Sequence, residues 1–265
     1  MQIRITDVKT CEMCSMPRCS YMNIANVKED FFRLPSETTV CPTGALTELG
    51  PRDKDMDHGF ISGDKSSPCV KCGLCVRTCP YGNLEIVGGM ESASEIKDDF
   101  SVLTERQVNA VTSQYLSLLF GFAANTNRNR ALSFDGYAYD AGGEEAFVEI
   151  DYNNDSLECV RRVVGDIIEY SEMRKLATGI IVLSDFPHKG SHDVYAFIER
   201  LSAFPTTRDI KVYITTFSVL RRLCLHTVGG AFARQCRMAD VLFCPAKEEL
   251  SAYMKRLDEV YPQTV

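Results

Sequence analysis

Eight of the twelve cysteines fall before residue 80, and their spacing says more than their number. Residues 69 to 80 read Cys69-Val-Lys-Cys72-Gly-Leu-Cys75-Val-Arg-Thr-Cys79-Pro80. Three thiolates at successive two-residue gaps wrap one face of a compact centre, and the fourth, followed by proline, leaves in another direction. A second set precedes it: Cys11-Glu-Met-Cys14, then Cys19 after four residues, then Cys41-Pro42 after twenty-one more. Thiolate is a soft ligand, so the chemistry indicated is metal binding by sulfur, with iron–sulfur and zinc as the two choices. A tetrahedral zinc site would use paired C-x2-C units. It needs neither a third Cys two residues further on nor the repeated Cys-Pro, and iron–sulfur is favoured.

On these residues the first 90 positions resemble a bacterial-type ferredoxin with two [4Fe-4S] clusters. In that family the fourth Cys of each run ligates the other cluster. The resemblance therefore implies one cluster held by Cys11, Cys14, Cys19 and Cys79, and a second held by Cys69, Cys72, Cys75 and Cys41. Crossed ligation ties the two halves together through iron and implies an apo domain that is poorly folded. The first run departs from the pattern, with four residues between Cys14 and Cys19 and twenty-one between Cys19 and Cys41 where the family has two and three. The wider loop still allows chelation. The extra stretch, 20–40, includes Val-Lys-Glu-Asp-Phe-Phe-Arg-Leu-Pro and would shield a cluster or dock a partner.

The remaining composition sets bounds. The chain has 265 residues with 45% hydrophobic and 25% charged side chains, ordinary for a folded protein and long enough for one large core or two smaller ones. A net charge of −7 excludes a global basic field for gripping nucleic acid or anionic lipid, though not a local patch. The N-terminus lacks the basic start and apolar run of a secretory signal, and the longest apolar stretch, near Tyr115 to Ala124, is half the length a bilayer needs. A cytoplasmic protein without membrane insertion is expected. In that reducing setting the cysteines are expected as metal ligands and not as a disulfide framework. Cys159, Cys224, Cys236 and Cys244 lack short paired spacing and are expected as buried small hydrophobes.

A boundary is expected between Gly88 and Asp99, where glycine, serine and charge crowd together. Beyond it, Val108, Val111, Tyr115, Leu118, Leu119 and Phe122 recur at helical spacing, predicting a helix from Thr104 to Ala124. Two strands, Ala131 to Tyr139 and Glu144 to Asp151, flank a glycine turn, with Phe147, Glu149 and Asp151 on one face and Val148 and Ile150 on the other. Asp155 with Glu158 marks a helix start, with Leu157, Val160, Val164, Ile167 and Ile168 as its buried stripe. Strand-like runs then alternate with helix-like ones: Ile180–Leu183 and Asp193–Phe204, Ile210–Phe217 and Val219–Phe232, Ala239–Cys244 and Lys247–Tyr261. The expected class is α+β, a small two-cluster ferredoxin-like domain over 1–95 followed over 101–265 by an α/β domain whose central sheet is covered by helices.

Phosphate-binding loops and the serine-hydrolase elbow are absent from the sequence. His58, His188, His192 and His226 are dispersed and read as surface or core residues. One further constellation carries chemistry. A helix, then Phe134-Asp135-Gly136, then Phe147-Val148-Glu149-Ile150-Asp151, then an amphipathic helix is similar to the core of restriction-endonuclease-like nucleases of the PD-(D/E)xK class. That resemblance implies Asp135 and Glu149 as catalytic ligands of Mg²⁺, which would activate water against a phosphodiester. Asp135 and Glu149 stand seven residues either side of Gly142, so a hairpin folded there brings them opposite each other. Where the family has lysine, this chain has Asp151. The alternative is that Asp135, Glu149 and Asp151 form the solvent face of an amphipathic hairpin.

Three functions follow. The leading one is single-electron transfer by two [4Fe-4S] clusters in a subunit or accessory protein that meets a protein redox partner or a larger complex, since a free carrier would not need 165 further residues. The second is a metal-dependent nuclease, or a nuclease-like module that binds nucleic acid. The third keeps the clusters structural or redox-sensing within an assembly.

Overall fold

The computed structural model describes residues 2–7, 9–10, 41, 45–47, 50–51, 60–61, 63–64, 67–79, 81–88, 101–124, 134–151, 156–174, 176–187, 194–201, 203–226 and 236–262. They belong to two compact units, Met1–Tyr115 with Cys224–Ala231 and Gln263–Val265, and Leu116–Leu223 with Phe232–Pro262. The stretch expected as a boundary lies outside the described residues after Gly88.

In the first unit, β1 (Gln2–Ile5) alternates exposed and buried residues, so Ile3 and Ile5 turn inward and Arg4 outward. The strand edges β2 (Leu46–Thr47) and β3 (Gly50–Pro51) pair with each other, β4 (Phe60–Ile61) pairs with β1, and β5 (Gly63–Asp64) pairs with β6 (Ser67–Pro68). The short helix α1 (Leu74–Thr78) carries the end of the second cysteine run into β7 (Leu84–Val87). β7 lies antiparallel to β1 from Gln2↔Val87 to Ile5↔Leu84, which brings both ends of the cysteine-rich region into one small sheet of order β4-β1-β7.

The helix α2 (Glu105–Leu119) begins with Thr104 and Gln107, whose side chains close a reciprocal cap over its first turn. Val108, Val111, Tyr115 and Leu119 of the predicted stripe are buried. The predicted helix continues to Ala124, but α2 ends at Leu119 and 121–124 form β8 (Gly121–Ala124). Gly121 weakens a helix by about 1 kcal/mol relative to Ala, and the apolar run around it pairs with β9 (Gly136–Tyr139). Gly136 is required there: a Cβ would lie 2.6 Å from the carbonyl oxygen of Ala123.

The second unit is built on a five-stranded mixed sheet of order β12-β11-β10-β9-β8. β8, β9 and β10 (Glu145–Asp151) form an antiparallel meander, after which β11 (Thr178–Leu183) and β12 (Lys211–Thr216) run parallel to β10. The crossovers are α3 (Ser156–Arg174) and α4 (Val194–Leu201). β11 is buried at all six positions, the continuous apolar pattern of a central parallel strand. α3 packs close: a Cβ on Gly179 would lie 2.7 Å from Val163 Cγ1. Its buried side includes Cys159, Val160, Val163, Val164 and Ile167, whereas Ile168, expected inside, is 44% exposed because the stripe has turned past it.

Further along are α5 (Phe217–His226), α6 (Met238–Val241) and α7 (Leu250–Val260). The expected strand over Ala239–Cys244 is not formed. Its first residues make α6, and only Phe243 reaches the sheet, through a single bridge to Ile214. β-branched residues are sparse in that run, and Arg237, Met238 and Asp240 open a helical turn in their place.

Polar groups pin the sheet at its turns. Asp140, 3% exposed, accepts from the backbone N–H of Gly142 at 2.7 Å, Glu144 at 2.9 Å and Met238 at 3.0 Å. Glu144 Oε1 accepts from Thr178 Oγ1 at 3.0 Å and Lys211 Nζ at 2.9 Å, joining the β9–β10 turn to the next two strands. Asp140→Ala leaves the buried Met238 donor without an acceptor and returns those of Gly142 and Glu144 to water, and is expected to cost about 2 kcal/mol, given ~1 to 3 kcal/mol for a buried donor left unmet. Chemical denaturation followed by circular dichroism reads this directly, and a loss below about 0.5 kcal/mol, the range of an ordinary surface change, would contradict it.

Candidate functional site

Four of the five described cysteines of the N-terminal region gather at one apolar core. Ile3, Ile5, Ala45, Cys75 and Leu84 form a buried apolar cluster, and Cys41, Cys69, Val76 and Cys79 pack against it. Two of these come from β1, one from β7, two from the chain near Cys41, and the others from the 69–79 run. Cys72 is also buried. Cys11, Cys14 and Cys19, and the 20–40 stretch expected to shield a cluster, lie outside the described residues. No disulfide joins the described cysteines to one another.

Local backbone explains how the run can present several sulfurs to one centre. Lys71 has φ 52 and Gly73 has φ 75, two left-handed residues that reverse the chain either side of Cys72. From Gly73 the chain enters α1, where the carbonyl of Gly73 accepts from Val76 and Arg77 and that of Cys75 accepts from Cys79. The turn after Cys79 closes with Gly82 N–H donating to the Cys79 carbonyl, and Gly82 also has a positive φ. The backbone N–H of Asn83 then donates to Cys79 Sγ at 3.3 Å.

Asn83 is held firmly for that task. It is 6% exposed, its Oδ1 accepts from Thr6 Oγ1 and from Asp7 N–H at 2.8 Å, and its Nδ2 donates to the Asp7 carbonyl at 2.6 Å. Asp7 in turn accepts from the backbone of Lys9 and Thr10 and from the Thr10 hydroxyl, which lowers its carboxyl below the usual value, the Thr10 contacts first. Asn83 thus links Cys79 to the segment that leads to Cys11.

The donor set fits an iron–sulfur group. Cys41, Cys69, Cys75 and Cys79 lie in or beside an apolar core, and a backbone amide already points at one sulfur, the second-sphere contact that tunes such centres. Arg77 Nε, inside the ligand helix, is buried and has no acceptor among the described residues. Among the described residues no three His, Cys, Asp or Glu side chains converge closely enough for a single metal ion. A cuboidal cluster spreads its four thiolates more widely than one ion does, and three of the eight cysteines lie outside the described residues.

The acidic constellation sits on the sheet of the second unit. The β9–β10 ladder ends at Gly136↔Val148, and Asp135 stands just before it, close enough for its charge to act on Glu149. Asp135 N–H donates to the Val148 carbonyl at 2.8 Å, and Ile150 N–H donates to Asp135 Oδ2 at 2.8 Å. Glu149 and Asp151 share the face under α3, as the alternation predicts. The solvent-face alternative is corrected at Glu149, which is 5% exposed, and Asp151 is half-buried. The sequence pattern missed two partners. Arg162 of α3 makes an ion pair with Glu149 Oε1, and Cys159, one turn earlier, faces Asp151 and Glu149. Their signal was a cysteine and an arginine at helical spacing beside the apolar stripe.

Burial, and then the charge of Asp135, push the Glu149 carboxyl up to about 8 against the pull of Arg162. Burial and the same acids also push the Cys159 thiol up, so it is inert as a nucleophile. Glu149 Oε2 is buried with no hydrogen-bond partner, consistent with a carboxyl that holds its proton.

Comparison with known proteins finds similarity over short segments. The chain is 33% identical over 72 residues to NADH-quinone oxidoreductase subunit I 2 of Geobacter metallireducens, covering 26% of this chain and 53% of that protein. It is 38% identical over 48 residues to a probable iron-sulfur subunit of the Frd operon of Proteus vulgaris, covering 18% of this chain and 25% of that protein. The chain thus spans about half the length of the first relative and a quarter of the second. No family model and no solved structure matches.

The raised Glu149 value has a defined consequence for stability. The folded state holds this proton more tightly than the unfolded chain, whose reference value is 4.5. The stabilisation is therefore complete below that value and lost as pH rises through about 8. Glu149→Gln stays neutral throughout, so its stability relative to the parent is expected to increase between about pH 5 and about pH 9. Denaturation midpoints of both proteins across that window would contradict the account if they moved in parallel.

Proposed function

We propose that the protein is an iron–sulfur protein of the electron-transfer kind, acting as a subunit or accessory protein of a larger redox assembly in the cytoplasm. The observation that carries this reading is the gathering of Cys41, Cys69, Cys75 and Cys79 around one apolar core, in a chain whose two cysteine runs both end in Cys-Pro. Similarity to iron-sulfur and oxidoreductase subunits supports it. Among the described residues no helix is long and apolar enough to cross a membrane.

In this reading Cys11, Cys14, Cys19 and Cys79 hold one [4Fe-4S] cluster, and Cys69, Cys72, Cys75 and Cys41 hold the other. When bound, each supplies reversible one-electron chemistry at low potential. The chain's own residues set the conditions. Ile3, Ile5 and Leu84 keep water from the inner side of the cysteines, which disfavours additional negative charge. The Asn83 amide acts in the opposite sense by donating to Cys79 Sγ, which stabilises charge on sulfur. Anaerobic purification is expected to give a coloured protein with about eight iron and eight sulfide per chain, the content of two [4Fe-4S] sites, reduced reversibly by one electron per cluster. About four of each would leave one cluster, and bound zinc without sulfide would overturn the reading.

A second reading is favoured by one observation, the partnerless buried Oε2 of Glu149, whose carboxyl feels the charge of the nearby Asp135. Two carboxylates so placed would hold Mg²⁺ for phosphodiester hydrolysis of nucleic acid. Against it stand Arg162, which takes the other Glu149 oxygen, and Asp151 where lysine is expected. Mg²⁺- or Mn²⁺-dependent cleavage of DNA or RNA, abolished in Asp135→Ala and Glu149→Ala, would support it. A parent that never cleaves, or variants that cleave equally well, would remove it.

A further inference from the structure

The loop that carries Cys72 rests on residues far outside the cysteine motif. Tyr115 of α2, 1% exposed, donates its hydroxyl hydrogen to the backbone carbonyl of Cys72 at 2.6 Å. The Tyr115 carbonyl accepts from Cys224 Sγ of α5 at 3.5 Å. The next residue, Leu225, packs so tightly on Gly73 that a Cβ there would lie 2.5 Å from Leu225 Cδ2. Gly73 has φ 75 as well, so both its backbone and its surroundings demand glycine. Two contacts thus meet on consecutive loop residues, a third ties Tyr115 to α5, and all belong to the first unit.

We propose that Tyr115 is a positioning residue for the iron–sulfur centre that Cys72 ligates, setting that centre's potential and its retention of iron. The proposal rests on the cluster reading above. The physical argument concerns the Cys72 carbonyl. Its oxygen is the negative end of a dipole one residue's length from a thiolate ligand, in a region shielded from water. The Tyr115 hydroxyl neutralises part of that charge and fixes the direction in which the carbonyl points. Without it the carbonyl is left buried with one acceptor site unmet, and the loop relaxes to find another donor. An unscreened negative dipole disfavours the extra electron of the reduced state, so the potential falls. A loosened loop releases its cysteine more readily, so iron is lost faster.

The sequence carries no sign of this role. Tyr115 reads as one more member of the apolar stripe of α2, and only its hydroxyl, directed at a ligand residue, separates it from Val108 or Val111.

The test compares Tyr115→Phe with Tyr195→Phe, which deletes an equivalent hydroxyl bonded to the Pro187 carbonyl in the second unit. Parent and variants, purified anaerobically, are assayed for iron and sulfide, titrated with dithionite and mediator dyes, and bleached with a ferrous chelator. Tyr115→Phe is expected to lower the potential of one cluster and to raise its bleaching rate about tenfold, the scale of one lost buried hydrogen bond, while Tyr195→Phe matches the parent. Leu225→Ala, which opens the seat beneath Gly73 and keeps the hydroxyl, is expected to speed bleaching too. It reads the same seat if Tyr115→Phe does not accumulate as folded protein. Parent-like potential and bleaching in Tyr115→Phe, or equal changes in Tyr195→Phe, would overturn the proposal. Failure of the cluster reading is distinct: the parent itself would then lack iron and sulfide.

Discussion

The first unit depends on a small apolar core edged with sulfur. Ile3, Ile5, Ala45, Cys75 and Leu84 are the buried members of that core, and one of the five is itself a candidate ligand. Three more cysteines pack on its rim. The sheet above it is short, with β1 paired over four residues to β7 and over two to β4. Strands this short leave much of the conformational entropy of the loops between them to be offset by other contacts. Cross-linking by metal is the usual remedy in small folds, and in the proposed arrangement each half lends one ligand to the other's cluster. The core, the β1–β7 pairing and the Asn83 bridge hold Cys41 and the 69–79 run beside the chain's first strand.

Support for the ligand loop comes from two helices that follow much later in the chain. Tyr115 meets Cys72, Leu225 meets Gly73, and Cys224 bonds to the Tyr115 carbonyl. Such dependence gives the loop a fixed shape about its two left-handed residues, Lys71 and Gly73. The second unit follows a different logic. Its parallel strands are covered by helices and locked at the turns by Asp140 and Glu144, and its most unusual feature is a buried acid, Glu149, near Asp135, which is tied by hydrogen bonds to the backbone of Val148 and Ile150.

The reach of the sequence differs between these parts for physical reasons. The α+β character, the hairpin register about Gly142 and the parallel strands after it follow from alternation and periodicity, which report local burial directly. Two elements escaped. The end of the first long helix became β8, because an apolar run broken by Gly121 satisfies either period and only pairing with β9 decides. Ala239–Cys244 became α6 and a single bridge, because tertiary packing of Phe243 against Ile214 outweighed the apolar pattern. At the candidate sites the cysteine spacing singled out residues of which Cys41, Cys69, Cys75 and Cys79 share one apolar core. Tyr115, Asn83 and Arg162 stayed hidden, since each acts through a hydrogen bond or ion pair across 43, 76 or 13 residues of chain, and no local pattern records such a partner.

The central claim is that iron holds the first unit together while the second stands without it. Hydrogen exchange read by mass spectrometry, before and after anaerobic removal of iron by a chelator, tests this most directly. The account predicts that amides of β1 and β7 lose their protection when iron leaves, while those of β10, β11 and β12 keep theirs. Equal protection of β1 and β7 in both states would contradict it.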